Sequence, residues 1–211
     1  MMMLEAPERD VPADPAVLCL PPAALLVVAG VPGAGKTTLL SRVDAPGSLV
    51  LDPEPIRDRY LRWLGRVPYR LWRPLVHAEH FARVLLALPG RTGLIVHDTG
   101  TRGWRRRLLA GLARACGRSG HLLLLDVSAE AALDGQRRRR RALRTPAFAV
   151  HWRNWRRLRA DLLTPGAPTG PGVPDDPGAG PSGLRAEGWA SVLLLDRPAA
   201  DRVRRVDIPP R

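Results

Sequence analysis

The segment from Gly30 to Thr38 restricts the possible folds of this chain more than any other part of the sequence. It reads Gly-Val-Pro-Gly-Ala-Gly-Lys-Thr-Thr and contains a full match to the pattern GxxxxGK[ST]. An apolar run typical of a buried strand, Leu25 to Ala29, precedes it, and a helical pattern from Lys36 to Val43 follows. A glycine-rich loop between a strand and a helix is the setting in which this motif binds phosphate groups.

The chemistry of this loop predicts how a nucleotide triphosphate and Mg²⁺ would bind. The glycines let successive backbone N–H groups point at the β-phosphate, and the helix N-terminus adds partial positive charge. Lys36 would reach the β- and γ-phosphates and act in catalysis, the Thr37 hydroxyl would ligate Mg²⁺, and Thr38 would touch the α-phosphate. The residues expected to contact the nucleotide are Gly30, Pro32, Gly33, Ala34, Gly35, Lys36, Thr37 and Thr38.

Composition makes Lys36 stand out further. Of the 33 basic residues, 32 are arginine and one, Lys36, is lysine. Arginine replaces lysine easily on a surface, but not where a compact ammonium must fit among backbone amides. The same count favours ATP over GTP, because the Asn/Thr-Lys-x-Asp motif of guanine recognition would need a second lysine.

The formal net charge of +13 has two interpretations that the sequence leaves open. Clustered cations bind phosphate backbones, which favours a nucleic-acid partner. A coding bias towards Arg, Ala, Gly and Pro would raise the charge without any such partner. The two cysteines, Cys19 and Cys116, lie far apart with no CxxC or Cys/His cluster, so neither structural zinc nor a disulfide framework is indicated.

Length and local composition predict one domain with a flexible insertion. At 211 residues the chain fits a single domain, residues 21–211, after an N-terminal tail of residues 1–20. Residues 164–183 are dominated by Pro and Gly and are expected to form the insertion. The longest apolar run is too short to cross a bilayer and the N-terminus is not typical of a signal peptide, so a cytoplasmic location without membrane contact is expected. The oligomeric state is left open.

Five short apolar runs predict a parallel sheet buried on both faces, because each run is continuous rather than alternating. They are Leu25 to Ala29, Leu49 to Asp52, Leu94 to Asp98, Leu122 to Val127 and Val192 to Asp196. Helical patterns lie between them, with helices expected to open at Pro55, at Pro74 and after Ser128. Strands that alternate with helices predict an α/β three-layer sandwich with right-handed crossovers.

The motif Gly-x-Pro-Gly-x-Gly-Lys-Thr-Thr in one small domain resembles the P-loop kinases related to the 5′-kinase domain of polynucleotide kinase, the zeta toxins and the chloramphenicol phosphotransferases. Many such chains are described as ATP-binding proteins of the AAA type. The resemblance extends from about Leu25 to Asp196. It implies a P-loop NTPase fold with strand order 2-3-1-4-5 and transfer of the γ-phosphoryl group of ATP.

Residues 49–57, Leu-Val-Leu-Asp-Pro-Glu-Pro-Ile-Arg, resemble the family's second strand and its acidic end. In the resembled kinases an Asp there accepts the proton of the acceptor hydroxyl, and an Arg three residues later helps to hold the acceptor's phosphate. The spacing to Arg57 assigns the catalytic base to Glu54, whereas the position at the strand end assigns it to Asp52. Glu54 has an alternative role as the cap of the helix opened by Pro55, which favours Asp52 without excluding Glu54.

Residues 94–102, Leu-Ile-Val-His-Asp-Thr-Gly-Thr-Arg, resemble the family's next strand, which closes with an Asp-Thr pair. Asp98 would stand in for the Walker B carboxylate, holding Mg²⁺ through water, or would bind the acceptor. Thr99 and Arg102 would then face the acceptor site. Asp126 fits the same pattern, but the implied strand order places Asp98, not Asp126, beside the P-loop strand where a carboxylate can reach Mg²⁺.

Five consecutive arginines, Arg137 to Arg141, lie in a segment expected to form a lid, residues 128–163. In the resembled kinases a lid helix delivers arginines to the transferring phosphoryl group, where positioning and charge neutralisation dominate catalysis. Arg137 and Arg141 share one helix face at i, i+4 and are the candidates for that role. A solvated basic helix in an arginine-rich chain is an equal alternative.

These features favour a kinase that transfers the ATP γ-phosphoryl group to a hydroxyl acceptor, either a polynucleotide 5′-end or a small molecule. The alternative is an ATPase or nucleotide-dependent switch without an acceptor, although the sequence has neither an Asp-Glu Walker B pair nor a second helical domain. A third interpretation, a nucleic-acid-binding protein that ATP regulates, depends on the arginine run alone.

Overall fold

The computed structural model describes residues 16–138, 145–163, 184 and 187–211. The strands in these residues are β1 (Ala16–Cys19), β2 (Leu25–Gly30), β3 (Ser48–Leu51), β4 (Gly93–His97), β5 (Gly120–Leu125), β6 (Ser191–Leu195) and β7 (Val203–Asp207). The helices are α1 (Lys36–Arg42), α2 (Pro53–Leu64), α3 (Tyr69–Ala87), α4 (Gly103–Ala115), α5 (Ala129–Arg138), α6 (Thr145–Leu163) and α7 (Arg197–Arg202).

The strands β2 to β6 form one parallel sheet, the main sheet, in the order β3-β4-β2-β5-β6. Numbered along the chain within this sheet, the strands stand in the order 2-3-1-4-5, so the predicted order is confirmed. Every residue of β2 and β5 is buried. Because successive side chains of a strand point to opposite faces, both faces at the centre of the sheet are covered, as expected for a three-layer α/β sandwich.

The structure corrects the start of two helices. Pro74 lies inside α3, which begins five residues earlier at Tyr69, immediately after Pro68. The helix at the end of β3 begins at Pro53, and Asp52 is its N-cap, since the Asp52 side chain accepts a hydrogen bond from the backbone N–H of Glu54 at 2.8 Å. An Asp cap followed by Pro at the first helical position is the favoured arrangement. The alternative role of Glu54 as the cap is therefore wrong.

A second, smaller sheet escaped the sequence analysis. It pairs β1 with β7 in parallel, and β1 lies within the predicted tail of residues 1–20. Two exposed arginines separate the buried Val203 and Val206 of β7, so this strand has no continuous apolar run. The pairing joins two segments almost the whole chain apart, which no local pattern encodes.

The predicted lid spans residues 128–163, and its first part forms the helix α5. The hydroxyl oxygen of Ser128 accepts a hydrogen bond from the backbone N–H of Ala131 at 3.1 Å, which confirms the predicted cap. Residues 139–144, which follow α5, lie outside the described residues.

The second part of the lid is α6, whose apolar face packs into the core through the buried Phe148, Trp155 and Leu158. The predicted insertion, residues 164–183, lies outside the described residues. In the part of the chain that is described, no helix is long and apolar enough to cross a membrane.

Candidate active site

The predicted phosphate loop forms the turn between β2 and α1. Its three glycines have positive φ angles: 154° at Gly30, 91° at Gly33 and 97° at Gly35. Gly35 is the N-cap of α1 in the left-handed region, which side-chain-bearing residues rarely adopt. The loop therefore has the backbone that turns its N–H groups towards a phosphate, and α1 adds its N-terminal partial charge.

Lys36 lies at the start of α1 and is 5% exposed. Its Nζ donates hydrogen bonds to the carbonyl oxygens of Gly30 at 2.8 Å and Val31 at 3.0 Å. The ammonium is thus held within the loop by oxygens of the loop itself. Thr37 is half-buried and Thr38 is exposed at the same helix start.

The helix α5 packs its backbone directly against this loop. A Cβ atom added at Gly33 would lie 2.0 Å from the carbonyl oxygen of Ala132, and one added at Gly135 would lie 2.4 Å from the carbonyl oxygen of Gly33. The side-chain amide of Gln136 donates to the Pro32 carbonyl at 3.0 Å. Gly33 is therefore needed for this close approach as well as for the turn, and the sequence analysis missed the partners on α5.

A second contact to the loop comes from α7. The Arg197 guanidinium donates to the carbonyl oxygen of Ala34 at 3.3 Å. Asp196, the N-cap of α7, accepts from the backbone N–H of Ala199 at 2.8 Å and so fixes the start of the helix that carries Arg197. The sequence offered no signal for this contact, since Arg197 is one of 32 arginines.

Asp98 lies directly after β4, beside the first residue of the phosphate loop. The backbone N–H of Gly30 donates to the Thr99 carbonyl at 3.1 Å, which ties the two segments together. Asp98 is 6% exposed, and its Oδ1 accepts from the backbone N–H of Gly100 at 3.0 Å. Its Oδ2 lies 2.6 Å from Arg105 Nε, as an ion pair whose angles do not suit a hydrogen bond. The structure thus brings Asp98 and Thr99 to the P-loop, and adds Arg105.

Asp52 lies after β3, one strand further along the same edge. Its Oδ1 caps α2, and its Oδ2 accepts a hydrogen bond from Nδ1 of His97 at 3.0 Å. Burial alone would raise the pKa of this carboxyl, but the hydrogen bond and charge of His97, with the Glu54 N–H, lower the pKa below its usual value. His97, the last residue of β4, is thus the direct partner of a candidate base.

Glu54 and Arg57 lie in the first two turns of α2. Glu54 is partly buried. The Arg57 guanidinium lies 3.2 Å from the Asp58 carboxylate and 5.6 Å from the ring centre of Tyr69 on α3. In this arrangement Arg57 is directed along α2 and α3.

Two further histidines of α3 lie close to Asp98. His80 donates from Nε2 to the His97 carbonyl at 3.0 Å, and burial is the main cause of its lowered pKa. Arg73 donates to Nε2 of His77 at 3.1 Å, which requires a neutral imidazole because a guanidinium can only donate. Burial first, and then the charges of Arg73 and Arg105, lower the pKa of His77 to about 4. The carboxyl edge of the sheet is thus crowded with cations and neutral imidazoles.

The remaining predicted residues are divided between the site and the surface. Arg102 is exposed at the start of α4, next to Thr101, whose hydroxyl lies 2.8 Å from His151 Nδ1 on α6. The Arg137 side chain is 72% exposed and pairs with Asp134 at 2.9 Å. Arg141 lies outside the described residues.

The donor set fits a magnesium–nucleotide complex. A hydroxyl at Thr37 and a buried carboxylate at Asp98 are the hard oxygen ligands that Mg²⁺ prefers. No group of three or more His, Cys, Asp and Glu side chains that could hold a metal occurs among the described residues. A magnesium ion here would therefore depend on phosphate oxygens and water for the rest of its ligands, as is usual for Mg²⁺ in kinase sites.

Solved structures resemble this chain with low sequence identity. A chain of the PezAT chromosomal toxin–antitoxin system of Streptococcus pneumoniae is 17% identical, with a TM-score of 0.49 over 65% of this chain and 62% of its own. The tunicamycin resistance protein of Deinococcus radiodurans is 23% identical, with a TM-score of 0.39 over 64% and 80%. A gluconokinase from Sinorhizobium meliloti 1021 is 15% identical, with a TM-score of 0.41 over 86% and 87%. No curated protein matches the chain significantly.

A protein-family model matches the part of the chain that contains most of the candidate site. The model of the AAA domain family matches residues 25–165, which is more than half of the chain. The matched region begins at β2 and includes the phosphate loop, the two acidic strand ends and both helices of the predicted lid. With the phosphate loop in place between β2 and α1, this chain belongs to the AAA domain family of P-loop proteins.

Proposed function

We propose that this protein is a kinase that binds ATP with Mg²⁺ and transfers the γ-phosphoryl group to a hydroxyl acceptor. One observation carries the proposal: a buried Lys36 in the phosphate loop, with Asp98 and Asp52 after the next two strands on the same edge of the sheet. Ligands of α/β proteins bind at this carboxyl edge. A nucleotide switch would need only the phosphate loop and Asp98. The additional carboxylate of Asp52, one strand further along the sheet, favours a kinase because it could take the proton of an acceptor hydroxyl.

Lys36 and Thr37 act on the nucleotide. The Lys36 ammonium exchanges its two carbonyl partners for oxygens of the β- and γ-phosphates, which neutralises charge as the transfer proceeds. Thr37 and Asp98 would hold Mg²⁺, which would supply positive charge that stabilises the negative charge of the phosphates. The acceptor oxygen forms a bond to the γ-phosphorus while the bond to the bridging oxygen breaks, and the electron pair of that bond leaves with ADP.

A carboxylate at the end of β3 takes the proton of the acceptor hydroxyl. Asp52 is held on both sides, by the Glu54 N–H and by His97, so its orientation is fixed before any acceptor arrives. The lowered pKa of Asp52 keeps the carboxylate ionised, although a carboxylate with a lower pKa is a weaker base. Glu54 remains the alternative base, because its spacing to Arg57 matches the resembled kinases.

Cations on the acceptor side complete the proposed site. Thr99 and Arg102 face the acceptor, and Arg57 helps to hold its anionic part after turning away from Tyr69. The lid of residues 128–163 delivers Arg137 or Arg141 to the transferring group. For Arg137 this requires breaking its exposed pair with Asp134, which costs little because surface ion pairs are weak.

A transfer screen with γ-labelled ATP tests the reaction. The full chain is incubated with 5′-hydroxyl DNA and RNA, nucleosides and antibiotics, and the label on each acceptor is counted. A labelled acceptor supports the kinase. Label released only as inorganic phosphate would favour the ATPase, and no turnover with intact ATP binding would favour a switch.

Two substitutions then assign the base. Asp52→Asn keeps a good helix cap, since Asn caps as well as Asp, and removes only the charge. We expect it to lower the transfer rate by about 100-fold or more, the usual contribution of a general base, with little change in ATP affinity. Glu54→Gln is the matched change and should retain transfer. The reverse outcome assigns the base to Glu54, and full transfer by both variants contradicts a base on this strand end.

A further inference from the structure

An open cleft of about 410 Å³ lies between the loop after β4 and the helix α6. Its walls include Thr101, Arg102 and Trp104 on one side and Asn154, Arg157 and Asp161 on the other. This volume is in the range of small-molecule sites. The predicted site contributes only Arg102 to it.

The inner end of the cleft approaches the phosphate loop. Thr101 contacts His151 of α6 at 2.8 Å. Thr101 also follows two residues after Thr99, whose carbonyl oxygen accepts a hydrogen bond from the backbone N–H of Gly30 at 3.1 Å. Burial is the main cause of the lowered pKa of His151, and the positive charges of Arg73, Arg102 and Lys36 lower this pKa further. From His151 the helix runs ten residues to Asp161, about 15 Å at the helical rise, with His151, Asn154 and Asp161 on one face. The cleft therefore leads outward from the side of the phosphate loop where Thr99 contacts Gly30.

The cations of the cleft differ in how they are used. Arg106, in its floor, is buried and donates to both carboxylate oxygens of Glu187, at 2.8 Å and 2.6 Å, and to the Gly100 carbonyl at 2.5 Å. Arg106 is thus occupied by the fold. Arg102 and Arg157 are exposed, and within the described ranges of the chain neither has an acidic partner within ion-pair distance.

The rim of the cleft also carries an aromatic side chain, Trp104. Trp104 is 56% exposed although indole rings are usually largely buried. An exposed tryptophan beside exposed arginines is the combination that stacks on a base and binds the adjacent phosphate. Asp161 at the outer end repels a second phosphate inside the cleft, so the cleft itself suits one nucleotide unit.

We propose that this cleft is the acceptor subsite and that it takes a nucleotide unit, with its phosphate between Arg102 and Arg157 and its base on Trp104. The proposal rests on the proposed function, because the reacting hydroxyl must then point from the cleft towards Lys36. The unit comes from the 5′-hydroxyl end of a nucleic acid strand or from a free nucleotide.

The test measures binding to the full chain without ATP. A single-stranded 5′-hydroxyl oligonucleotide with a 3′ dye is followed by fluorescence anisotropy, and nucleoside 3′-monophosphate serves as competitor. Arg157→Ala and Trp104→Ala should each weaken oligonucleotide binding by about 10-fold, the usual range for a lost stacking or phosphate contact. Arg156→Ala, one residue along α6 and outside the cleft, and Trp63→Ala, which removes an 85% exposed tryptophan elsewhere, should change it less than twofold.

The outcomes separate the two proposals. If the monophosphate competes at concentrations near the Kd of the oligonucleotide, a free nucleotide is a ligand of the cleft. If the oligonucleotide binds and the monophosphate does not compete, the ligand is the end of a strand. Equal losses of affinity in Arg156→Ala and Arg157→Ala would show that net charge, not the cleft, governs binding. Wild-type affinity in both Arg157→Ala and Trp104→Ala would also overturn the proposal. So would the absence of binding by both the oligonucleotide and the monophosphate. Because no ATP is present, a failed transfer reaction would remove the kinase and leave this result unaffected.

Discussion

Two buried cations at opposite ends of the main sheet are used in different ways. Lys36, at the carboxyl end, is 5% exposed and donates to the carbonyl oxygens of Gly30 and Val31. Arg118, at the amino end just before β5, is 3% exposed and donates to five backbone carbonyls. These belong to Ala23, Ala87, Leu88, Gly90 and Thr92.

The difference follows from the shape of the two side chains. A guanidinium has five N–H donors in a rigid plane and can close several turns at once. Arg118 thereby joins the end of α3, the turn before β4 and the segment before β2. A compact ammonium can exchange one set of oxygens for another without a fixed geometry. At the amino end of the sheet Arg118 therefore stabilises the fold, whereas at the carboxyl end Lys36 is able to exchange its hydrogen-bond partners.

The largest expected effect is on stability at the amino end. Arg118→Ala would leave buried carbonyls without donors, and we expect it to lower the free energy of unfolding by about 4 kcal/mol or more. Urea unfolding measures the change. Arg107→Ala, an exposed arginine of α4, is the matched control and should stay within about 0.5 kcal/mol. A loss of unfolding free energy at Arg118 no larger than at Arg107 would contradict the structural role of Arg118.

The next effect is on chemistry at the carboxyl end. Lys36→Ala should lower phosphoryl transfer or ATP turnover by about 10²- to 10³-fold, equal to about 3–4 kcal/mol in the barrier. The unfolding free energy should change by only about 1 kcal/mol, since removing a buried ammonium also removes its desolvation cost. Lys36→Arg should lose activity as well, because a planar fork does not fit the loop. Retained ATP affinity and turnover in both variants would contradict the P-loop assignment.

The smallest effect is a pH dependence centred on His77. Its pKa is about 4 in the folded protein against 6.5 unfolded, so between these values the unfolded chain binds more protons. His77 therefore contributes stability above about pH 6.5 that is lost as the pH falls towards 4. We expect a loss of about 1–2 kcal/mol between pH 7 and 5, reduced from the full shift for partial exposure. Urea unfolding at both pH values should give a smaller difference for His77→Gln; an unchanged difference would exclude His77 as the source.

Local patterns predicted the frame of the fold well. The main sheet was foreseen because each of its strands is a short apolar run, and its order follows from the resemblance that the phosphate loop carries. The pairing of β1 with β7 was missed, since the arginines of β7 interrupt its apolar pattern. The start of α3 was misplaced because Pro74 resembles a first helical residue but is exposed inside the helix, which begins after Pro68.

The candidate site was predicted only in its loop and its acidic strand ends. His77 and His80 lie on α3, and Arg105 lies on α4, with no motif around any of them. Arg105 pairs with Asp98, and both histidines lie within electrostatic range of that carboxylate, because two helices from different parts of the chain pack beside one strand end. No sequence spacing reports such a meeting.

Local sequence features were enough to predict the phosphate loop and the edge of the sheet at which we propose the reaction takes place. A single lysine beside 32 arginines, glycines at fixed positions, and Asp52 and Asp98 at the ends of apolar runs are local features, and local backbone rules suffice to interpret them. Only the tertiary structure decided the partners: His97 on Asp52, Arg105 on Asp98, the α5 backbone on Gly33 and Arg118 on its five carbonyls. Such contacts depend on how close distant segments pack, and packing distance is a property of the folded chain rather than of any one segment.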